Sequence, residues 1–178
     1  GSFADTPQLY QEVWECLQYT FYLGTGSIVT KTDIEPSREH NTSAALLFNF
    51  DAVAVAVKSG NLTTVEQEIT GFFRQLQAKR YEINISKTYA LELFMVIIRQ
   101  SKAEAMESYI GKLSELMTLD YLEQLQEFIQ AIALQVTKEN YNRIVTTHNK
   151  LIKQVIHYIQ EHLAEEDLTL KGLASEVF

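Results

Sequence analysis

The chain has 178 residues, a net charge of −8 at neutral pH, and 46% apolar against 21% charged side chains. That is enough for one medium domain, or one domain with a fragment of a second, around an ordinary globular core. Only 7 Gly and 2 Pro disfavour a turn-rich β architecture. The acidic balance excludes free-standing nucleic-acid binding, which needs excess Lys and Arg to displace phosphate counterions.

In chain order, Leu9, Val13 and Leu17 recur every four residues, and Tyr10, Trp14 and Phe21 widen the stripe. This predicts a helix over 7–23, with Pro7 in its first turn and Gly24 after its end. Residues 27–34 are β-branched and short, which allows one small strand, and 35–43 read as a loop. Ala44 to Ser59 is apolar almost all round and stops at Gly60, as a buried helix with a glycine cap would. Thr63 with Glu66 makes a capping box for a helix to Lys79 bearing Ile69, Phe72, Phe73 and Leu76 on one face. Ser86 is the expected cap of a helix to Gln100. Ser101 with Glu104 makes a second capping box for a helix to Met117.

Thr118 is the expected cap of the next helix, whose inner stripe is Leu122, Leu125, Ile129, Ile132 and Val136. Between Lys112 and Lys171 there is neither Gly nor Pro. Tyr141, Ile144, Val145, His148, Ile152, Val155, Ile156, Ile159 and Leu163 keep a helical period, so a long helix is expected over 140–163, with room for a break near Asn149. Asp167 to Thr169 starts one more. The fold class is therefore mainly all-α: a multi-helix array with room for one short strand near 27–34. Helix pairs in succession also leave a repeat scaffold open as a minor alternative.

Cys16 is the single cysteine, so no internal disulfide forms, and its apolar helical setting reads as a small buried hydrophobe. No apolar run approaches the length of a membrane span; Leu91 to Ile98 is interrupted by Glu92. Gly1-Ser2 has the look of a tag remnant, and a chain opening on it and stopping at Phe178 reads as an excised piece. The glycosylation-like triplets at Asn41, Asn61 and Asn84 are attributed to chance.

The final stretch runs Ile152-x-x-Val155-Ile156-x-Tyr158-Ile159-x-Glu161-His162-Leu163, then Asp167-Leu168-Thr169-Leu170-x-x-Leu173-Ala174. It resembles the opening of an AraC-type DNA-binding domain over about the last 27 residues. The resemblance implies the first helix and the start of a helix-turn-helix unit, with the recognition helix beyond Phe178 and so no DNA-binding residue in this chain. The residues themselves suit a supporting layer. Ile152, Val155, Ile156, Ile159 and Leu163 share one face, on which Leu168, Leu170, Leu173 and Ala174 can pack.

At the other end, Tyr10-Gln11-Glu12-Val13-Trp14-Glu15-Cys16-Leu17-Gln18-Tyr19 and Gly24-Thr25-Gly26-Ser27-Ile28-Val29 are similar to a segment found in multi-domain AraC-type regulators, including YesN-like response regulators and membrane-anchored sensor relatives. This implies an upstream receiver or sensor domain, a helical connector over 3–140, and a long helix with the truncated DNA-binding domain over 141–178.

Other constellations carry less. Gly24-x-Gly26 lacks the strand and helix of a phosphate loop. His157 and His162 are five apart, which rotates them off a common helix face, so no metal site is expected. No nucleophile elbow or acid/base pair is visible, so no catalytic residue, no cofactor and no enzyme activity are expected.

The expected function is a cytoplasmic connector and dimerisation region of a two-component-type transcription regulator. It would meet DNA only through the full-length parent and would have no membrane contact. Tyr10, Trp14, Phe21, Tyr141, Ile144 and Val145 are the candidate self-association or interdomain contacts. Two alternatives stand beside it. One is an effector-sensing module, in which Val53 to Val57 and Leu91 to Ile98 could line a pocket, although apolar helices of this kind are more often simply core. The other is a helical protein-interaction scaffold.

Overall fold

The computed structural model describes residues 6–24 and 45–162. The strand expected near 27–34 and the helix-turn-helix start after His162 lie outside these residues. Within them the chain is helical and holds no strand. The elements are α1 (Thr6–Leu23), α2 (Phe50–Ser59), α3 (Leu62–Lys79), α4 (Ile83–Ile98), α5 (Ala103–Ile110), α6 (Leu113–Thr118) and α7 (Leu122–His162).

The ends of these helices are set by different residues from those expected. Helix α2 starts six residues later than Ala44, because the Asn49 side chain accepts from the Ala52 N–H and caps it there. Residues 45–49 approach it as non-helical chain that still packs Leu46 and Phe48 on the core. Asn61, not Thr63, caps α3 by accepting from the Thr64 N–H at 3.1 Å. Helix α4 begins at Ile83 without a side-chain cap, which leaves Ser86 inside its first turn and fully buried. The Ser101 hydroxyl donates back to Ile98 O at 2.6 Å, so α5 also starts without the expected capping box. The single helix expected to reach Met117 is two, α5 and α6, divided at Gly111–Lys112. Thr118 ends α6 and donates to Glu115 O. The Gln124 side chain takes its place at the head of α7 by accepting from the Asp120 and Tyr121 N–H groups.

Helix α7 is continuous for 41 residues, with no break at Asn149. It is the axis of the body, packing against α2, α3, α4 and α1. Its positions Leu122, Leu125, Ile129, Ile132, Ala133 and Val136 are buried among Val53, Val57, Ile69, Phe72, Phe73, Leu93, Phe94 and Ile97. Phe48, Phe50, Phe72 and Phe73 meet edge-to-face at the middle of this core, the geometry that aromatic quadrupoles favour.

Side-chain contacts fix the directions. Val57 O and Gln100 O, at the ends of α2 and α4, meet Asn140 of α7. Gly24 and α3 residues Phe73 and Gln77 lie near Leu122 and Glu123, at the other end. Helices α2, α4 and α7 therefore run one way, and α3 runs back. The body ends at Asn140, the last buried residue of α7.

Candidate interaction surface

Two surfaces hold the candidate residues, one at each end of the body. The first is the part of α7 beyond Asn140. Twenty-two residues of helix, 141–162, project past the body, about 33 Å at 1.5 Å per residue. None of them is buried. Tyr141 is 51% exposed, Ile152 56%, and Val145 and Ile156 are also exposed, while Ile144 is half-buried. An apolar face of this kind is ordinarily covered in a soluble assembly.

The base of this stalk is rigid for identifiable reasons. Asn140 Nδ2 donates to both Val57 O and Gln100 O at 3.1 Å, joining the C-terminal ends of α2 and α4 to α7. Arg143 Nη2 donates to Asn140 Oδ1 at 3.0 Å, so the amide is held from both sides. Beside it, Gly60 adopts φ +75°, and an added Cβ there would meet the Tyr141 backbone at 2.8 Å. Only glycine allows both the left-handed turn and this approach. A polar hollow of about 470 Å³ lies here, lined by residues that include Lys102, Glu139, Arg143 and Thr146. Its two cations stand by the negative ends of α2 and α4, which accounts for them without a ligand.

The second surface is the exposed side of α1. Tyr10 is 74% exposed and Trp14 is also exposed, whereas Phe21 is only 2% exposed and packs edge-on against Tyr22 inside the body. Of the three aromatics considered together in the sequence, two face outward and one is core. Helix α1 is held by the buried Tyr22 hydroxyl, which donates to Tyr81 O and accepts from Ser86 Oγ at 2.6 Å. Burial pushes the Tyr22 hydroxyl up to about 12, so it keeps its proton for this bond. Nothing in the sequence pattern marks this latch, because it links residues 59 and 64 positions apart.

Trp14, Tyr19, Tyr22, Arg80, Tyr81 and Ile85 line a cavity of about 330 Å³ beside the latch. Arg80, in a left-handed conformation at φ +48°, sets its guanidinium over the Tyr19 ring at 4.7 Å. Val53 to Val57 and Leu91 to Ile98, weighed above as pocket lining or core, do not line this cavity. Val53, Ala56, Val57, Leu93, Phe94, Ile97 and Ile98 are instead close-packed core.

Two histidines of the stalk are engaged locally. His157 pairs with Glu161 at 3.3 Å, and His162 stacks on Tyr158 and meets its carbonyl oxygen. Among the described residues there is no cluster of potential metal ligands, and no helix is long and apolar enough to cross a membrane. Comparison with protein-family models, curated proteins and solved structures finds no match.

Proposed function

We propose that this chain is the connector and pairing region of a DNA-binding transcription regulator of the AraC type. In this reading it sits in the cytoplasm between an upstream receiver or sensor domain and a DNA-binding domain completed by residues after Phe178. It performs no catalysis. The observation that carries the reading is the continuity of α7, which runs unbroken from the body's core into the AraC-like stretch, from Ile152 as far as His162.

A continuous helix transmits rotation and translation from one end to the other, which a flexible linker does not. Trp14 of α1 lies by the start of α4, at the Glu123 end of the body, and Glu123 is about 27 Å along the axis from Tyr141. An input contact at α1 and an output at the stalk are thereby separated by the rigid body between them. Pairing of two copies suits regulators whose DNA sites come as spaced half-sites.

The test is to extend the chain through the rest of its natural gene and measure fluorescence anisotropy against duplex DNA selected from a random pool. The extended chain is expected to bind with a steep salt dependence, and the chain ending at Phe178 is not. An extended chain without affinity for any duplex would end this reading.

The Trp14–Tyr81 cavity favours a second reading, in which the region senses a small effector. A thermal-shift screen addresses it, since a ligand of the folded state alone raises the melting temperature.

A further inference from the structure

The apolar face of α7 changes direction where the helix leaves the body. In the body half, the 3–4 spacing carries Leu122, Leu125, Ile129, Ile132 and Val136, all buried. Continued outward, the same spacing falls on Glu139, Arg143, Thr146, Lys150 and Lys153, and every one is polar. The apolar spacing restarts at Tyr141 and runs Val145, His148, Ile152, Val155 and Ile159. At 100° per residue the new face is turned about two-fifths of a turn from the one that holds the core. The stalk is therefore no frayed remainder of the body's own packing. It has a face aimed elsewhere.

We propose that a second copy of this chain covers the near part of that face, with two stalks packed in parallel and in register along Tyr141, Val145, His148 and Ile152, flanked by Ile144. The proposal deepens the pairing role given above and rests on it in one respect: Val155, Ile156 and Ile159 are left to the domain that follows. Val145 and Ile152 fall at one position of a heptad and Tyr141 and His148 at the other. β-branched residues at the first of these suit a parallel pair, and the second carries Tyr and His where Leu is usual. Like residues then face like, and His148 meets the partner's His148.

The small number of side chains also sets the strength. Five per copy, about half exposed to begin with, bury less than the roughly 1,200 Å² at which standard interfaces begin. The pairing is thus a weak one, in the micromolar to millimolar range, which joint attachment to DNA would reinforce.

Sedimentation equilibrium of the chain at pH 8, from about 10 μM to 1 mM, tests this. The average mass is expected to rise from the 20.4 kDa of one chain toward twice that value. V145E, checked for unchanged helicity, should raise the dissociation constant about tenfold or more. In a C16S background, Y141C and H148C should each cross-link to its own copy, which demands parallel in-register stalks, whereas H157C on the outer face should not. A chain that stays at one mass at 1 mM, or pairs as well with V145E, overturns the proposal. If I159E alone splits the pair, the seam lies further out, and that result counts against the DNA-binding layer as well. Loss of DNA binding in the extended chain, with pairing intact, would instead sink only the assigned function.

Discussion

The two halves of α7 share one backbone and differ in what surrounds it. From Leu122 to Asn140 a residue is buried at each inward turn, and the helix is held by contacts with α2, α3 and α4. From Tyr141 to His162 no residue is buried, and the helix is supported by its own hydrogen bonds and by local pairs such as His157 with Glu161. Alone, 22 residues of this composition would form a marginal helix, because nucleation is unfavourable. Here the body has already nucleated it, and propagation adds one bond per residue fixed. The core thus lends order to a segment that adds nothing to the core in return.

Core truncation gives the largest expected separation between the halves. Ile129 is fully buried, so Ile129→Ala should cost about 2–5 kcal/mol, for the lost transfer energy and the cavity left behind. Ile152→Ala, with the same change of side chain on the exposed half, should shift stability by less than about 0.5 kcal/mol. Urea unfolding at low protein concentration measures both. Similar losses at the two sites would mean the stalk is packed against the body after all.

The junction comes next. Asn140→Ala removes the amide that joins two carbonyl groups at the ends of α2 and α4. Leaving Val57 O and Gln100 O unpaired should cost about 1–3 kcal/mol. The more telling readout is local: amide exchange in residues 141–150 should speed up more than in α3. Uniform acceleration across the body would show that Asn140 holds the fold and not the stalk's attachment.

The same junction explains what was legible beforehand. Hydrophobic period found the inner stripe of α7 because that period is the burial itself. It also placed a helix start near Asn140, where the structure has none. A change in the phase of the apolar stripe and a break between two helices leave the same trace in a sequence. Without Gly or Pro to mark a stop, only the packed body shows that the helix continues and the face turns. Caps failed for a simpler reason: Asn61 and Thr63 both offer an oxygen near the start of α3, and only Leu62 separates them. The aromatics of α1 were legible as a widening of its apolar stripe, but whether Phe21 or Trp14 goes inside depends on Tyr81 and Ser86, far along the chain.

At the opposite end of the body the latch should give a smaller effect. Tyr22→Phe removes the hydroxyl shared by Tyr81 O and Ser86. Ser86 can turn to a carbonyl of its own helix, so the loss at pH 7 is expected near 1 kcal/mol. The pH dependence is more specific. A phenol held up to about 12 in the folded state and near 10 when unfolded contributes in full below pH 10, and that contribution is lost as pH rises through 12. Tyr109, also pushed up to about 12 by burial and by Glu139, behaves the same way. The native chain should therefore lose stability between pH 10 and 12, and Tyr22→Phe should lose less over that interval. Parallel curves would place the Tyr22 hydroxyl in solvent.

The smallest effect on the body is expected from the harshest change to the stalk. Proline inside a helix removes a hydrogen bond and clashes with the preceding turn, which costs about 3 kcal/mol where the helix must be kept. Gln154 is exposed, about four turns beyond the last buried residue. If the stalk borrows its order from the body and repays none, Gln154→Pro should lower helical ellipticity at 222 nm while the melting temperature of the body stays within about 1 °C. Thr137→Pro, one turn inside the body at a fully buried position, should prevent folding. The pair separates two accounts of α7. If a single cooperative rod carried stability along its whole length, the outer proline would lower the melting temperature too. If order flows outward from the core, the damage stops short of Asn140, because nothing on the inner side depends on the turns outside it.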